Sequence, residues 1–204
     1  LSMIWLLILL AVCYLLGSFP SGAIVSKLFN GTDLSSSGSG SVGTTNAYRV
    51  LGLKAALIVL VLDVLKGFLA VCLSYLVFVP DFMHPLVKLF FGLAAVAGHN
   101  WSIFLKFKGG KGVATTCGVF LALVPQAIGI AALLWLGVAL LTRWASAASL
   151  SAAFAFPCIA YVYGASTFEI IFAIISAAIV IFQHRHNIER LLAGQEEHIN
   201  IKFF

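Results

Sequence analysis

Residues 55–73 read A-A-L-I-V-L-V-L-D-V-L-K-G-F-L-A-V-C-L, an apolar run that carries only two charges, Asp63 and Lys66. The run lies within the longer apolar segment Val50–Val79, and ~20 mostly apolar residues are enough for a helix to cross a bilayer. Charged side chains inside such a helix are costly and are usually paired. Asp63 and Lys66 are spaced i, i+3, on one helix face. The stretch therefore predicts a membrane-spanning helix that contains a structural ion pair.

The composition of the whole chain supports the same interpretation. Of its 204 residues, 62% are hydrophobic and 9% are charged, whereas soluble domains have about 25% charged residues. A water-soluble fold of this length cannot bury so much apolar surface. A nucleic-acid-binding protein needs a solvated basic face, and the long apolar runs leave no room for one. The composition therefore predicts an all-α integral membrane protein.

Six apolar segments predict the spanning helices. Four are each long enough for one helix: Met3–Leu28, Val50–Val79, Pro85–Leu105 and Thr167–Gln183. Val113–Thr142 is too long for one span, and Pro125 near its middle predicts two short helices that meet at Val124–Gln126. Ala147–Gly164, interrupted by Pro157, supplies one more. We therefore expect seven transmembrane helices, two of them short, in a single polytopic domain of residues 1–204.

The distribution of lysine and arginine predicts the orientation of these helices, because cytoplasmic loops are enriched in both residues. The outer side has Lys88 at most. The other side has ten basic residues: Lys27, Arg49, Lys54, Lys106, Lys108, Lys111, Arg143, Arg185, Arg190 and Lys202. This bias predicts an N-terminus outside and a C-terminus in the cytoplasm.

The first polar segment on the predicted cytoplasmic side is Ser35–Arg49, which reads S-S-S-G-S-G-S-V-G-T-T-N-A-Y-R. Its glycines let backbone N–H groups converge on an anion. A helix that begins near Thr44 or Thr45 would point its positive end at the same place, and Arg49 follows. A flexible Ser/Gly linker is the alternative. Asn46 and Arg49 favour a phosphate-binding loop.

The second polar segment, Gly98–Thr115, contains G-G-K-G at residues 109–112. It is not a Walker A motif, because glycine follows the lysine where that motif needs serine or threonine. The glycines still expose N–H groups and Lys111 supplies a point charge, which favours anion binding. Lys106 and Lys108 are interpreted as interfacial anchors, and His99 as a helix-end residue that orients the loop.

The third polar segment, Gln183–Glu196, is predicted as the cytoplasmic end of the last helix. His184 and Asn187 are spaced i, i+3 and share a face there, so His184 is favoured over His186 as a site residue. The turn Arg143–Ser149 lies on the same side. A serine in this turn either caps a helix or donates to a ligand, and the spacing does not choose between these roles.

These three segments resemble the bacterial acyl-phosphate-dependent glycerol-3-phosphate acyltransferases, the PlsY family. The family's second pattern, G-H-x-x-x-x-F-x-x-F-x-G-G-K-G-V-A-T, is matched at every fixed position from Gly98 to Thr115. The first, S-G-S-G-N-x-G-x-T-N-x-x-R, is matched from Ser37 except at Ser41. The third, R-H-x-x-N-I-x-R-L-x-x-G-x-E, is matched except at Gln183. The resemblance covers most of the chain and implies the seven-helix fold as well.

The resemblance implies an acyltransferase that moves an acyl group from acyl phosphate to the 1-hydroxyl of sn-glycerol 3-phosphate, the first step of phospholipid synthesis in the bacterial inner membrane. It implies that Lys111, His184 and Asn187 form the catalytic set. The implied phosphate-binding residues are Ser39, Thr45, Asn46, Arg49, Gly109, Gly110, Lys111 and Ser149. The implied supporting residues are Ser37, Gly43 and His99. No cofactor, metal or nucleic acid is expected, and the partners are the two substrates and the bilayer.

Two questions stay open at the level of sequence. The proton acceptor is either a phosphate of the substrate or His184, since the sequence has no His-x4-Asp pair of the kind that many glycerolipid acyltransferases use. The alternative function is membrane transport of an organic phosphate, which also needs a basic, glycine-rich site. Transporter sites usually lie near the bilayer midplane, within repeats, and the sequence shows no internal repeat.

Overall fold

The computed structural model describes residues 3–29, 31–77 and 83–199. Within these ranges the chain forms α-helices, two short 3-10 helices (Ser74–Leu76 and Ile103–Leu105) and connecting loops, without a β-strand. The α-helices are α1 (Met3–Ser18), α2 (Ser21–Phe29), α3 (Thr44–Leu51), α4 (Leu53–Leu73), α5 (His84–Asn100), α6 (Val113–Leu123), α7 (Pro125–Thr142), α8 (Ala145–Val162), α9 (Thr167–Gln183) and α10 (Arg185–Leu192). The all-α prediction is therefore confirmed.

Several helical segments are long and apolar enough to cross a membrane, which makes the chain a multi-pass membrane protein. Among the described residues they are Ile4–Phe29, Leu53–Leu76, His84–Leu105, Pro125–Thr142 and Ala145–Val162. The bent pair α9 and α10 gives a sixth if it is taken as one span. The helix count of seven and the orientation of the termini stay predictions, and both Val79 and Lys202 lie outside the described residues.

The helix boundaries differ from the sequence expectation at three places. Val124 does separate two helices, but only α6 is short, because Pro125 occupies the first turn of an 18-residue α7. Pro157 does not interrupt α8, which continues through it, as membrane helices tolerate. The last predicted helix ends at Gln183, and α10 follows after a bend of 60° at His184.

The chain divides into two compact units, Leu1–Leu123 and Val124–Phe204. In the first unit α1 packs against α5, and α4 packs against α3, α5 and α6. Glycines allow these close helix contacts: a Cβ on Gly98 would lie 2.1 Å from the Tyr14 carbonyl oxygen, and one on Gly67 would lie 2.0 Å from that of Thr115. Close backbone approach at small residues is the usual packing mode of membrane helices.

In the second unit α8 packs against α7 and α9, and α10 packs against α8 and α9. The segment after α10 returns to the turn between α7 and α8. There the Ile199 N–H donates to the Arg143 carbonyl at 2.7 Å, and the His198 ring stacks on Trp144 with centroids 5.5 Å apart. The prediction that residues 1–204 act as a single domain stays a prediction.

Candidate functional site

The first polar segment forms a compact loop between α2 and α3 rather than an extended linker. Near the start of the loop, the Asp33 carboxylate accepts hydrogen bonds from the Ser35 N–H and the Ser35 hydroxyl, both at 2.9 Å. These hydrogen bonds hold the pKa of Asp33 below its usual value of 3.8. Gly38 and Gly40 adopt φ of +58° and +70°, a conformation that residues with a side chain rarely reach. The loop thus has a defined backbone, as a binding loop requires.

The side chain of Asn46 holds this loop in its conformation through hydrogen bonds to the loop backbone. It is 1% exposed, and its Nδ2 donates to the carbonyls of Leu34, Ser37 and Ser41 at 3.0, 2.9 and 2.7 Å. Its Oδ1 accepts the Ser39 N–H at 2.9 Å. A single buried carboxamide therefore satisfies backbone groups that loops normally leave to water, and it fixes the position of Ser39, which is exposed.

The end of the loop leads directly into the N-terminus of α3. Gly43 is the N-cap residue in an extended conformation, without a side-chain cap. The first N–H groups of a helix have no intrahelical partner and attract anions. Thr45 and Arg49 of α3 are both half-buried. The exposed Ser39, the start of α3 and the guanidinium of Arg49 belong to one short stretch of chain with anion-binding chemistry.

The second polar segment folds back on the end of α5. The Gly110 N–H donates to the His99 carbonyl at 3.0 Å, and the Gly109 N–H donates to the Asn100 carbonyl at 3.1 Å. Both glycines are needed for space: a Cβ on Gly109 would lie 1.9 Å from the His99 oxygen, and one on Gly110 would lie 2.2 Å from His99 Nε2. These contacts fix the backbone immediately before Lys111. Lys111 itself is half-buried and lies two residues before α6 begins.

A buried polar network lies beneath this second loop. The Asp63 Oδ1 accepts hydrogen bonds from Lys66 Nζ at 2.6 Å and from the Ser21 hydroxyl at 2.5 Å, and Lys66 Nζ also donates to Ser21 at 3.0 Å. His99 Nδ1 is 3.6 Å from the same Asp63 oxygen. The predicted Asp63–Lys66 pair is therefore present, and its carboxylate also faces His99 at the end of α5.

Helix α2 contacts the first loop and the buried polar network. Ser21 at its start donates to Asp63 of that network. The next residue, Gly22, packs on the first loop, since a Cβ there would lie 1.9 Å from the Val42 carbonyl oxygen. Neighbouring residues of α2 thus contact the first loop and the Asp63 carboxylate that faces His99. Ser21 was not predicted as part of the site, because a serine inside an apolar helix gives no signal of its partners.

In the second unit, Ser149 lies within α8 rather than in the turn before it, since α8 begins at Ala145. It is 8% exposed, and its hydroxyl accepts the Trp135 Nε1–H at 3.0 Å. A serine hydroxyl that accepts one bond keeps its own proton as a donor. Ser149 is therefore not the N-cap of α8, since that position is Trp144, and its role as a ligand donor stays a prediction.

His184 lies at the bend between α9 and α10 and is 2% exposed. Its Nδ1 is 2.8 Å from the Val180 carbonyl oxygen. A carbonyl can only accept, so Nδ1 carries a proton there and neutral His184 keeps its lone pair on Nε2. By contrast His186 is exposed and pairs with Glu189 at 3.0 Å. His184 is therefore the buried histidine at the bend, and its hydrogen bond to the Val180 carbonyl defines its tautomer.

Asn187 follows on α10 and is 5% exposed. Its Nδ2 donates to Glu196 Oε1 at 2.6 Å, while Arg190 Nε donates to Glu196 Oε2 at 2.8 Å. Burial raises the pKa of Glu196, but the hydrogen bonds from Asn187 and Arg190 and the nearby Ser146 hydroxyl outweigh it, so the pKa falls below the usual 4.5. Glu196 therefore orients Asn187. Glu196 is the last fixed position of the third pattern, but the sequence did not predict that it contacts Asn187.

The predicted site residues fall into two groups, one in each unit. The first unit holds the residues of the first loop with α3 and those of the second loop with the end of α5: Ser37, Ser39, Gly43, Thr45, Asn46, Arg49, His99, Gly109, Gly110 and Lys111. The second unit holds Ser149, His184 and Asn187. Buried side chains fix parts of each group: Asn46 and His99 in the first unit, and Glu196, which bonds Asn187, in the second.

Comparison with known proteins gives a consistent result. A family model described as glycerol-3-phosphate acyltransferase matches residues 7–194. The chain is 38% identical over 201 residues to a glycerol-3-phosphate acyltransferase of Desulforudis audaxviator, with 98% of this chain and 99% of the relative covered. It is 42% identical over 192 residues to glycerol-3-phosphate acyltransferase 2 of Moorella thermoacetica, with 94% and 96% covered.

Two crystal structures of PlsY (YgiH), an integral membrane glycerol 3-phosphate acyltransferase, share this fold. The glycerol 3-phosphate form has a TM-score of 0.86 and 40% identity, and the similarity covers 95% of this chain and 94% of that one. The lysophosphatidic acid form has a TM-score of 0.85 with the same identity and coverage. With the matched family model and relatives, these similarities establish that the chain belongs to the glycerol-3-phosphate acyltransferase family.

Proposed function

We propose that this chain transfers the acyl group of an acyl phosphate to the 1-hydroxyl of sn-glycerol 3-phosphate. The products are 1-acyl-sn-glycerol 3-phosphate and inorganic phosphate. The observation that carries the proposal is the pair of glycine-bearing loops in the first unit, one leading to Arg49 and the other to Lys111. Both substrates carry phosphate, so a site of this kind must hold anions at more than one place.

The first unit would bind the phosphate of glycerol 3-phosphate. Arg49 offers a fork of donors that fits two phosphate oxygens, and Lys111 offers a compact positive charge. The Ser39 hydroxyl and the first N–H groups of α3 supply neutral donors. Because Asn46 and His99 fix the backbone around these groups, little reorganisation is needed when the anion arrives.

The second unit would bind and orient the glycerol hydroxyls. His184 Nε2 would accept a hydrogen bond from a glycerol hydroxyl, and the Asn187 carboxamide is held by Glu196. The Ser149 hydroxyl can donate to an oxygen of either substrate. Orienting a hydroxyl against an activated carbonyl is itself a large part of catalysis, since well-placed reactants gain several kcal/mol, up to about 11 kcal/mol.

The chemical step forms a bond from the 1-oxygen of glycerol 3-phosphate to the acyl carbonyl carbon. It breaks the bond from that carbon to the bridging phosphate oxygen, which leaves with the electron pair. The hydroxyl proton must go to a base. We assign it to a phosphate oxygen of the substrates, because the partner of His184 Nδ1 is a neutral carbonyl, whereas catalytic histidine bases commonly have a carboxylate there.

The proposal includes the topology: a multi-pass protein of the bacterial inner membrane, with its N-terminus outside and its site on the cytoplasmic face. The support is the excess of lysine and arginine on the predicted cytoplasmic side and the need for soluble glycerol 3-phosphate to reach the loops. Transport of an organic phosphate is less well supported, because the family to which the chain belongs consists of acyltransferases.

The experiment that tests the proposal supplies purified protein in lipid with acyl phosphate and glycerol 3-phosphate, and measures phosphate release and acyl-glycerol phosphate together. The expected result is equal amounts of both products. Acyl-CoA and acyl-carrier protein serve as alternative donors. Product formation with either of these but not with acyl phosphate would overturn the donor assignment. Uptake of labelled glycerol phosphate into sealed vesicles without acylation would support the transporter instead.

A further inference from the structure

The buried charges of α4 have more partners than a simple ion pair needs. Asp63 is 1% exposed and Lys66 is 4% exposed, and their side chains meet at 2.6 Å. Ser21 of α2 donates to Asp63 and accepts from Lys66. A buried pair of this kind adds little stability by itself, because the cost of removing both charges from water can exceed their attraction. Stabilising the packing of α2 and α4 therefore does not by itself explain this network.

The third neighbour of the Asp63 carboxylate is the ring of His99 at the end of α5. Its Nδ1 is 3.6 Å from Asp63 Oδ1, which is beyond hydrogen-bonding distance. At this distance the interaction is electrostatic, and a carboxylate facing Nδ1 favours a proton on that nitrogen. Asp63 is thus the carboxylate that faces Nδ1 of the ring.

The other side of the His99 ring supports the second loop. Its Nε2 lies so close to Gly110 that a Cβ there would be 2.2 Å away. The backbone carbonyl of His99 also accepts the Gly110 N–H at 3.0 Å. The ring and the carbonyl of one residue therefore fix Gly110, and Gly110 directly precedes Lys111.

We propose that Asp63 is a positioning residue for the phosphate-binding loop: it holds the His99 ring, and the ring fixes Gly110 and hence Lys111. Lys66 and Ser21 hold the Asp63 carboxylate in place within the membrane-spanning part of the chain. The inference rests on the proposed role of Lys111 in binding the substrate phosphate. In this inference the buried Asp63–Lys66 pair contributes to phosphate binding only by positioning Lys111.

The test removes both charges together, so that neither is left buried without its partner. The double variant Asp63→Asn/Lys66→Met is expected to fold, because replacing a buried pair by groups of similar volume is often neutral. Its dissociation constant for glycerol 3-phosphate should rise about tenfold, equivalent to ~1.4 kcal/mol. The turnover number at saturating substrate should change much less. Ser74→Ala is the matched control, since this buried serine bonds only within its own turn.

Two results separate this inference from the proposed function. If Lys111→Ala weakens glycerol 3-phosphate binding and the double variant does not, Asp63 and Lys66 form a structural pair and the inference is wrong. If Lys111→Ala leaves binding unchanged, the proposed role of the loop is wrong instead.

A measurement on the unmodified protein covers the case in which the double variant fails to fold. The nitrogen-15 chemical shifts of the His99 ring are expected to show a proton on Nδ1. A neutral ring protonated only on Nε2 would contradict the proposal, because it presents a lone pair to the carboxylate. In a folded double variant, the Nδ1 proton should no longer be favoured. A merely structural pair would leave the tautomer unchanged.

Discussion

The Asn46 carboxamide holds the backbone of Ser39: its Oδ1 accepts the Ser39 N–H at 2.9 Å across seven residues of chain. The same side chain donates to the carbonyls of Leu34, Ser37 and Ser41. A serine- and glycine-rich sequence that would otherwise be a flexible linker thus becomes an ordered loop. The order comes from one buried side chain rather than from regular secondary structure.

Asn46→Ala should therefore disable the first loop. It leaves several loop backbone groups without their partner, at about 1–3 kcal/mol for each group that stays buried. We expect kcat/KM for glycerol 3-phosphate to fall about 100-fold, which corresponds to ~2.7 kcal/mol. Asn46→Asp keeps the acceptor for Ser39 but loses the donors, and it should show a similar loss. Ser36→Ala, at an exposed position of the same loop, is the control, and an equal effect there would contradict this role of Asn46.

Gly110→Ala should reduce activity through a steric effect, because the new methyl group would overlap the His99 ring. We expect glycerol 3-phosphate affinity to fall by at least about tenfold, as for a 1.4 kcal/mol loss. Gly137→Ala is the matched control. It lies in α7 with open space around the new methyl group, and alanine is the better helix former by about 1 kcal/mol. Unchanged affinity in Gly110→Ala would mean that the loop moves freely away from His99.

His184→Gln separates orientation of the substrate from proton transfer. Glutamine can still hydrogen-bond a glycerol hydroxyl but cannot act as a base near neutral pH. If a substrate phosphate takes the proton, the turnover number of His184→Gln should stay within about tenfold of the wild type, and His184→Ala should mainly raise the KM for glycerol 3-phosphate. A His184→Gln enzyme that binds glycerol 3-phosphate normally but does not turn over would identify His184 as the base.

Glu196 should make the attachment of the C-terminal segment depend on pH. Its pKa is lowered in the folded chain, so its contribution is fully present above its usual pKa of 4.5 and is lost as the pH falls through the lower, folded value. The protection factor of the Ile199 amide, which donates to Arg143, should therefore drop as the pH falls below 4.5, the usual pKa of a glutamate. Glu196→Gln should remove this dependence, whereas Glu197→Gln should keep it. Equal behaviour of the two variants would contradict the assignment.

The sequence predicted the helical membrane fold because the length of an apolar run is a local property. The break at Val124 was predictable from Pro125. The continuation of α8 through Pro157 was not, since the sequence does not show how neighbouring helices satisfy the freed carbonyl. The bend at His184 was missed as well, because the spacing of His184 and Asn187 fits a straight helix.

The supporting residues were harder to predict than the ligand-binding candidates. Lys111 lies between two glycines and Arg49 ends a glycine- and serine-rich segment, so both can be singled out from the sequence. The Ser21–Asp63–His99 contacts join residues that are 42 and 36 positions apart, and no local pattern encodes such contacts. The Trp135–Ser149 bond is similar, because a tryptophan in an apolar helix usually indicates only packing.

The most direct test of the account compares two lysines of the second loop region, Lys111 and Lys108, by measuring glycerol 3-phosphate binding to the purified protein in lipid without an acyl donor. Lys111 is half-buried beside Gly110, whereas Lys108 is exposed. The account predicts that Lys111→Ala raises the dissociation constant by about 10- to 100-fold, as for the loss of a charge-assisted hydrogen bond, and that Lys108→Ala changes it less than about twofold. Equal dissociation constants for wild type and Lys111→Ala would contradict it.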